Sequence, residues 1–151
     1  IHMNPLMDDN SLNMSGYSIQ EIQIGMKRSV SKTITENDIY NFAGIIGDIN
    51  PLHVNEEYAK NTRFKTRIAH GMLTASFFST LVGMCIPGAD AIYLGQNLKF
   101  LLPVKIGDTI TATGEVTKII PEKKIAYMKT TVVNQRGEIV IEGEATVMAT
   151  K

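Results

Sequence analysis

The chain has little with which to cross-link itself, assemble a metal centre by spacing, or hold a polyanion. A single cysteine, Cys85, rules out an internal disulfide and fits a reducing compartment. It lies between Met84 and Ile86 at the end of an apolar run, where a free thiol packs as a small core residue, and no zinc-type spacing accompanies it. Lysine plus arginine and aspartate plus glutamate number 15 each, so the net charge is zero and no broad basic field exists for nucleic acid. A basic stretch leading into an apolar one is missing near the start. The longest apolar run is broken by Thr, Ser and Gly well short of a membrane span. These absences lead to the expectation of a cytoplasmic protein with neither nucleic acid nor membrane as partner. Internal repeats and low-complexity segments are absent as well.

What is present suffices for one core: 151 residues, 44% of them hydrophobic, predict a single domain. Ile1-His2-Met3 reads as a cloning scar, so His2 carries no argument, and the polar stretch to about residue 18 is expected to be flexible. The domain should therefore occupy residues 19–151. Met26 to Ile34 leans towards a first strand. Thr35 then reads as an N-cap with Asp38 three residues on, opening a helix that carries Ile39, Phe42, Ala43 and Ile46 and runs to about Gly47. Pro51 cannot simply continue that helix, so Asp48 to His53 is expected to be a loop that places side chains, with Asn55 capping a second short helix.

From Gly71 to Met84 the chain is apolar on nearly every side and has no charge, which predicts one buried helix ended by Pro87-Gly88. Alternation follows, with Ile92, Leu94, Leu98 and Phe100 expected on one face, and strands at about 109–120, 125–133 and 138–149 separated by turn residues. One strand, several helices and then four strands are most economically arranged as an antiparallel sheet curling around a single apolar helix, an α+β fold.

Asp48 and His53 can share one water molecule near neutral pH, one accepting and one donating a proton, although taken singly each also reads as a turn or surface residue. Gly71 opens the apolar helix, where a free N–H and the positive dipole end can meet developing negative charge on a carbonyl oxygen; close backbone packing explains it equally. His70 reads as structural, because its spacing supplies no proton-transfer partner. Ser79 can bond back to a helix carbonyl.

The run Phe42-Ala43-Gly44-Ile45-Ile46-Gly47-Asp48-Ile49-Asn50-Pro51-Leu52-His53, followed by Ile68-Ala69-His70-Gly71-Met72-Leu73, resembles the MaoC-like (R)-specific enoyl-CoA hydratases of the hot-dog fold. Tyr93 to Phe100 and Leu102-Pro103-Val104 extend the likeness to roughly residues 24–147. The resemblance implies hydration of trans-2-enoyl-CoA to (R)-3-hydroxyacyl-CoA, and the reverse dehydration. It implies that Asp48 and His53 hold and activate water, that the Gly71 N–H binds the thioester oxygen, and that Asn50 and Ser79 support the site. Coenzyme A is then part of the substrate and no metal or other cofactor is expected. A homodimer or a dimer of dimers is implied, with the acyl tunnel near the interface. Lys65, Arg67 and Lys99 could meet the phosphates.

Three rivals stay in view. A dehydratase of the fatty-acid synthesis type sets a loop histidine against a carboxylate on the central helix, yet Gly71 to Pro87 contains no Asp or Glu. A hot-dog acyl-CoA thioesterase would need a carboxylate beside the thioester carbon, which Asp48 could supply. A non-catalytic acyl-CoA-binding regulator would not need both Asp48 and His53.

Overall fold

Strands form where apolar residues alternate, and register decides which face each residue joins. The computed structural model describes residues 12–151, so Ile1-His2-Met3, expected to be a cloning scar, and the rest of the first eleven residues lie outside the described residues. Six strands make one antiparallel sheet: β1 (Lys27–Thr33), β2 (Ala91–Gln96), β3 (Lys99–Phe100), β4 (Thr109–Ile120), β5 (Ile125–Val133) and β6 (Ile139–Ala149). The order is β1-β4-β5-β6-β2, with β3 also paired to β6. Ala112 lies opposite Val132, Val132 opposite Ile141, and Ala126 opposite Val147, and all of these are buried on the concave face. On the outer face of β1 and β4, hydroxyl groups pair across the strands: Ser29 with Thr113, Ser31 with Thr111 and Thr33 with Thr109, at 2.7 to 2.8 Å.

The helices lie between β1 and β2 in the chain: α1 (Glu36–Ile46), α2 (Pro51–Val54), α3 (Glu56–Ala59), α4 (Gly71–Ala75) and α5 (Phe77–Met84). Thr35 and Asp38 form the expected capping box on α1, and Gly47 closes that helix at φ 79°, a left-handed conformation that glycine adopts without strain. Phe78, Leu81 and Val82 of α5 enter the core beside Cys85 and Ile86.

The apolar stretch from residue 71 to 84 differs from expectation in two ways. It is two helices that meet at Ser76, whose hydroxyl bonds the Leu73 carbonyl while its N–H is shared between the Met72 and Leu73 carbonyls. Back-bonding of this kind tightens a turn and interrupts the i to i−4 ladder. Nor is the stretch buried all round, because Met72, Ser76, Ser79 and Gly83, spaced at four, three and four residues, form an exposed stripe.

Two further expectations are corrected. Ile92, Leu94 and Phe100 are exposed while Leu98 packs on the core, because pairing with β6 sets Tyr93 opposite buried Val147, and the register shifts between Tyr93 and Gly95. Residues 12–18 are docked where a flexible segment was expected: Asn13 donates its backbone N–H to the Met84 carbonyl and its amide side chain to those of Cys85 and Pro87, and the Tyr17 N–H bonds the Pro87 carbonyl at 2.7 Å. Asn13 thereby satisfies carbonyls that α5 leaves free at its end.

Candidate active site

Asp48 is set by the end of α1. After Gly47 the chain leaves the helix, and the Asp48 carboxylate accepts the Asn50 N–H at 3.2 Å. The Asn50 side chain accepts the Leu52 N–H at 3.1 Å, and Pro51 follows at the first helical position. Proline here starts a helix as well as ending one, so His53 sits within α2 and not on the expected open loop. Its ring is 9% exposed, whereas Asp48 faces solvent.

The acceptors around the histidines fix their tautomers. His53 Nδ1–H donates to the Ile68 carbonyl at 2.7 Å, so in the neutral ring Nε2 carries the lone pair. His70 Nε2–H donates to the backbone carbonyl of Asp48 at 2.9 Å. The two rings stack at 3.9 Å with 28° between their planes, and Phe42 meets His70 edge-on at 5.1 Å. One side-chain donor atom from each of Asp48, His53 and His70 lies within 4.8 Å of the others. A bound water making two hydrogen bonds of about 2.8 Å spans that separation.

The same three residues could be read as metal ligands, but the stacking disfavours it. Imidazole lone pairs lie in the ring plane, so two nearly parallel stacked rings send them side by side, whereas a zinc ion needs them to converge at about 2.0 Å. The arrangement suits proton transfer to and from a water.

Arg67 braces the segment that carries Ile68 and His70. Its guanidinium reaches Glu36 and Tyr40 of α1, both at 2.6 Å, and Glu56 of α3 at 3.2 Å, tying together the helices that precede Asp48 and follow His53. Its hydrogen bond is the largest influence holding the Glu36 carboxyl below the usual range; Glu56 is lowered first by Thr66 and then by Arg67. The expectation that Arg67 meets a phosphate is therefore corrected, since its charge is already engaged. Lys65 and Lys99 remain exposed.

Gly71 follows directly, at the start of α4. A Cβ there would come within 2.7 Å of the Phe100 ring, so close packing against that ring accounts for the glycine. Two clefts flank this point. One of about 390 Å³ is lined by Ile68, Gly71, Phe100 and Leu102, and another of about 450 Å³ by Phe42, Ser76, Ser79 and Leu98, with Met72 bordering both. At the far side of the second, the Tyr93 hydroxyl bonds the Gln96 side chain, whose amide donates to buried Thr130 at 2.9 Å; burial pushes the Tyr93 phenol up to about 12. The side chains of Asp48, His53 and His70 thus come together, Gly71 follows His70 in the chain, Asn50 shapes the turn after Asp48, and Ser79 lines the second cleft. Sequence reasoning missed the direct involvement of His70 and Arg67, whose partners lie 22 and 31 residues away.

The family model described as MaoC like domain matches residues 18–137. Among curated proteins, an (R)-specific enoyl-CoA hydratase of Rhodospirillum rubrum is 57% identical over 129 residues, 85% of this chain and 89% of its own. The (R)-specific enoyl-CoA hydratase of Aeromonas caviae is 43% identical, covering 86% of this chain and 97% of its own. Among solved structures, the R-hydratase PhaJ1 from Pseudomonas aeruginosa superposes with a TM-score of 0.85 at 42% identity, covering 89% of this chain and 86% of that one.

Proposed function

Because the chain belongs to the MaoC-like family, we propose that the Asp48/His53 site performs (R)-specific hydration of trans-2-enoyl-CoA, and the reverse dehydration. The fold is the hot dog of the R-hydratases, a curved antiparallel sheet around the α4–α5 pair. The observation that supports the mechanism is the meeting of Asp48, His53 and His70 side-chain atoms within 4.8 Å of one another, with His53 Nδ1 held by the Ile68 carbonyl. An ionised Asp48 and a neutral His53 both accept, so a water between them donates both protons and turns a lone pair towards the β-carbon.

Addition makes the C–O bond at the β-carbon, moves the alkene electrons to the α-carbon and thioester oxygen, and transfers one water proton to the dyad. Asp48 takes that proton as base, and the same pair returns one to the α-carbon, so the dyad ends as it began. The Gly71 N–H faces the thioester oxygen where the enolate charge develops. Asn50 and Ser79 support, the former through its turn and the latter from the cleft wall. The chemistry calls for no metal or redox group, and coenzyme A enters only as part of the substrate.

A homodimer formed through the β2 edge completes this reading. β2 ends the sheet with its outer side unpaired among the described residues, and Ile92 and Leu94 are exposed on it.

Hydration of crotonyl-CoA in deuterated water with EDTA, followed by resolution with stereospecific dehydrogenases and NMR, tests the proposal. The expected product is (R)-3-hydroxybutyryl-CoA with hydroxyl and deuterium added to one face. Free coenzyme A in place of a hydroxyacyl thioester would mark a thioesterase, and an unreacted substrate a binding protein. An (S) product, anti addition or loss of activity on chelation would each overturn one named part.

A further inference from the structure

His70 is 3% exposed, belongs to neither half of the proposed proton-transfer pair, and yet touches both. Its Nε2–H holds the Asp48 carbonyl at 2.9 Å and its ring covers that of His53 at 3.9 Å. The other bond found at Asp48, from the Asn50 N–H to its carboxylate, is local and moves with the turn; the one from His70 arrives from 22 residues away and anchors the turn to the start of α4. Asp48 otherwise stands exposed after a glycine, with nothing apolar to fix it. His70 itself is held by the Phe42 edge and by the Leu73 and Thr74 N–H groups, which both bond its carbonyl.

The remaining ring atom points to one protonation pattern. His70 Nδ1 is buried without a hydrogen-bond partner in the structure. A proton there would be a buried donor with no acceptor, beside the imidazole of His53, whereas a bare lone pair costs less. A carbonyl can only accept, so the same tautomer makes the bond to Asp48. The structure therefore leaves His70 one job: to donate from Nε2 and present a flat face.

We infer that His70 is the positioning residue of the dyad, fixing Asp48 through its backbone and His53 through ring stacking, in the Nε2–H tautomer. This rests on the hydratase reading of the same site. It also makes Gly71 the end of one rigid unit, because the residue that aligns the dyad directly precedes the N–H that meets the thioester oxygen. A displacement of about 1 Å in such a unit lowers turnover by up to about a hundredfold without weakening substrate binding.

Two substitutions separate the functions of the ring. His70→Phe keeps the stacking face and removes the donor; His70→Gln restores an N–H near the position of Nε2. With crotonyl-CoA, His70→Phe is expected to lower kcat by about tenfold or more with KM changed by less than about threefold, and His70→Gln to recover most of the loss. In an Asp48→Asn background His70→Phe should cost little more, since the carboxylate it serves is already gone. Nitrogen-15 NMR of the unsubstituted protein should show His70 protonated at Nε2 and bare at Nδ1.

Near-normal kcat in His70→Phe, independent multiplication of the two losses, a glutamine variant no better than phenylalanine, or an Nδ1–H tautomer would overturn the inference. Should His70→Phe fail to fold, the glutamine variant and the tautomer still decide. Should the unsubstituted protein leave crotonyl-CoA untouched, the hydratase reading fails by itself. Displacement of the Asp48 amide resonance in His70→Phe, and its return in His70→Gln, then judges the positioning separately.

Discussion

The two sides of the cleft are built by different physics. On the dyad side nearly every polar group has a directed partner: Gly47 ends a helix, Asn50 caps the next, Ile68 holds His53, and Arg67 draws α1 and α3 together. On the side of β2 and β3 the backbone pairs with β6, but Ile92, Leu94, Phe100, Leu101 and Leu102 lie 42 to 53% exposed. Hydrogen bonds fix angles and distances, which proton transfer requires; apolar contacts fill volume without specifying direction, which suits an acyl chain and a partner subunit. In the proposed reading the reacting groups come from one chain, and the exposed apolar side is left for an acyl chain or a partner subunit to cover.

The strongest way to break that contrast is to remove chemistry from the directed side and leave the packing alone. Asp48→Asn and His53→Ala should each reduce hydratase turnover by about a hundredfold or more with the melting temperature unchanged for Asp48→Asn, measured by loss of crotonyl-CoA absorbance. Full activity in either would remove that residue from the mechanism.

The apolar side is probed at Ile92, which borders neither cleft. Ile92→Lys places like charges against each other across a two-fold β2 edge. Light scattering should show the mass falling towards that of a single chain at micromolar concentration, with activity reduced by about tenfold. An unaltered mass would place the partner surface elsewhere.

The mildest test concerns Arg67. Arg67→Met should lower kcat by about threefold to tenfold and leave KM unaltered, because the brace touches no substrate. Its pH dependence has a definite sign. Folded-state values for Glu36 and Glu56 lie below the ordinary value of 4.5, so their contribution is present above that value and disappears as the pH falls through the lowered ones. The melting-temperature gap between the parent and Arg67→Met should be level near neutrality and close on acidification. A gap that widened in acid would contradict the brace.

Local chemistry is what the sequence states openly. The capping box at Thr35, the closing Gly47 and three long strands were legible because each depends on residues within one turn or one alternating run, whereas the helix begun by Pro51, which carries His53, was expected as a loop. The break at Ser76 was not, since a serine in an apolar helix has two bonding options and only the packed structure selects one. The face shown by Ile92 and Leu94 depends on register with β6, some fifty residues later, and the docking of Asn13 on carbonyls of residues 84 to 87 depends on a segment far along the chain. His70 was taken as structural for want of a partner. Its partner is a main-chain carbonyl, which no side-chain spacing encodes.

The hydroxyl pairs joining β1 to β4 bear on how growth of the sheet is limited. β1 forms the opposite end of the sheet from β2, and along it Lys27, Arg28 and Lys32 accompany Ser29, Ser31 and Thr33. Its outward hydroxyls are paired with β4, Lys32 is engaged by Asp38, and Lys27 and Arg28 put positive charge along this edge, a feature that discourages edge-to-edge pairing. Under the proposed pairing, β2 is the end that meets another copy and β1 the end left outward. In the proposed homodimer the β2 edge of each copy is covered by the other, so that edge is no longer open to further addition.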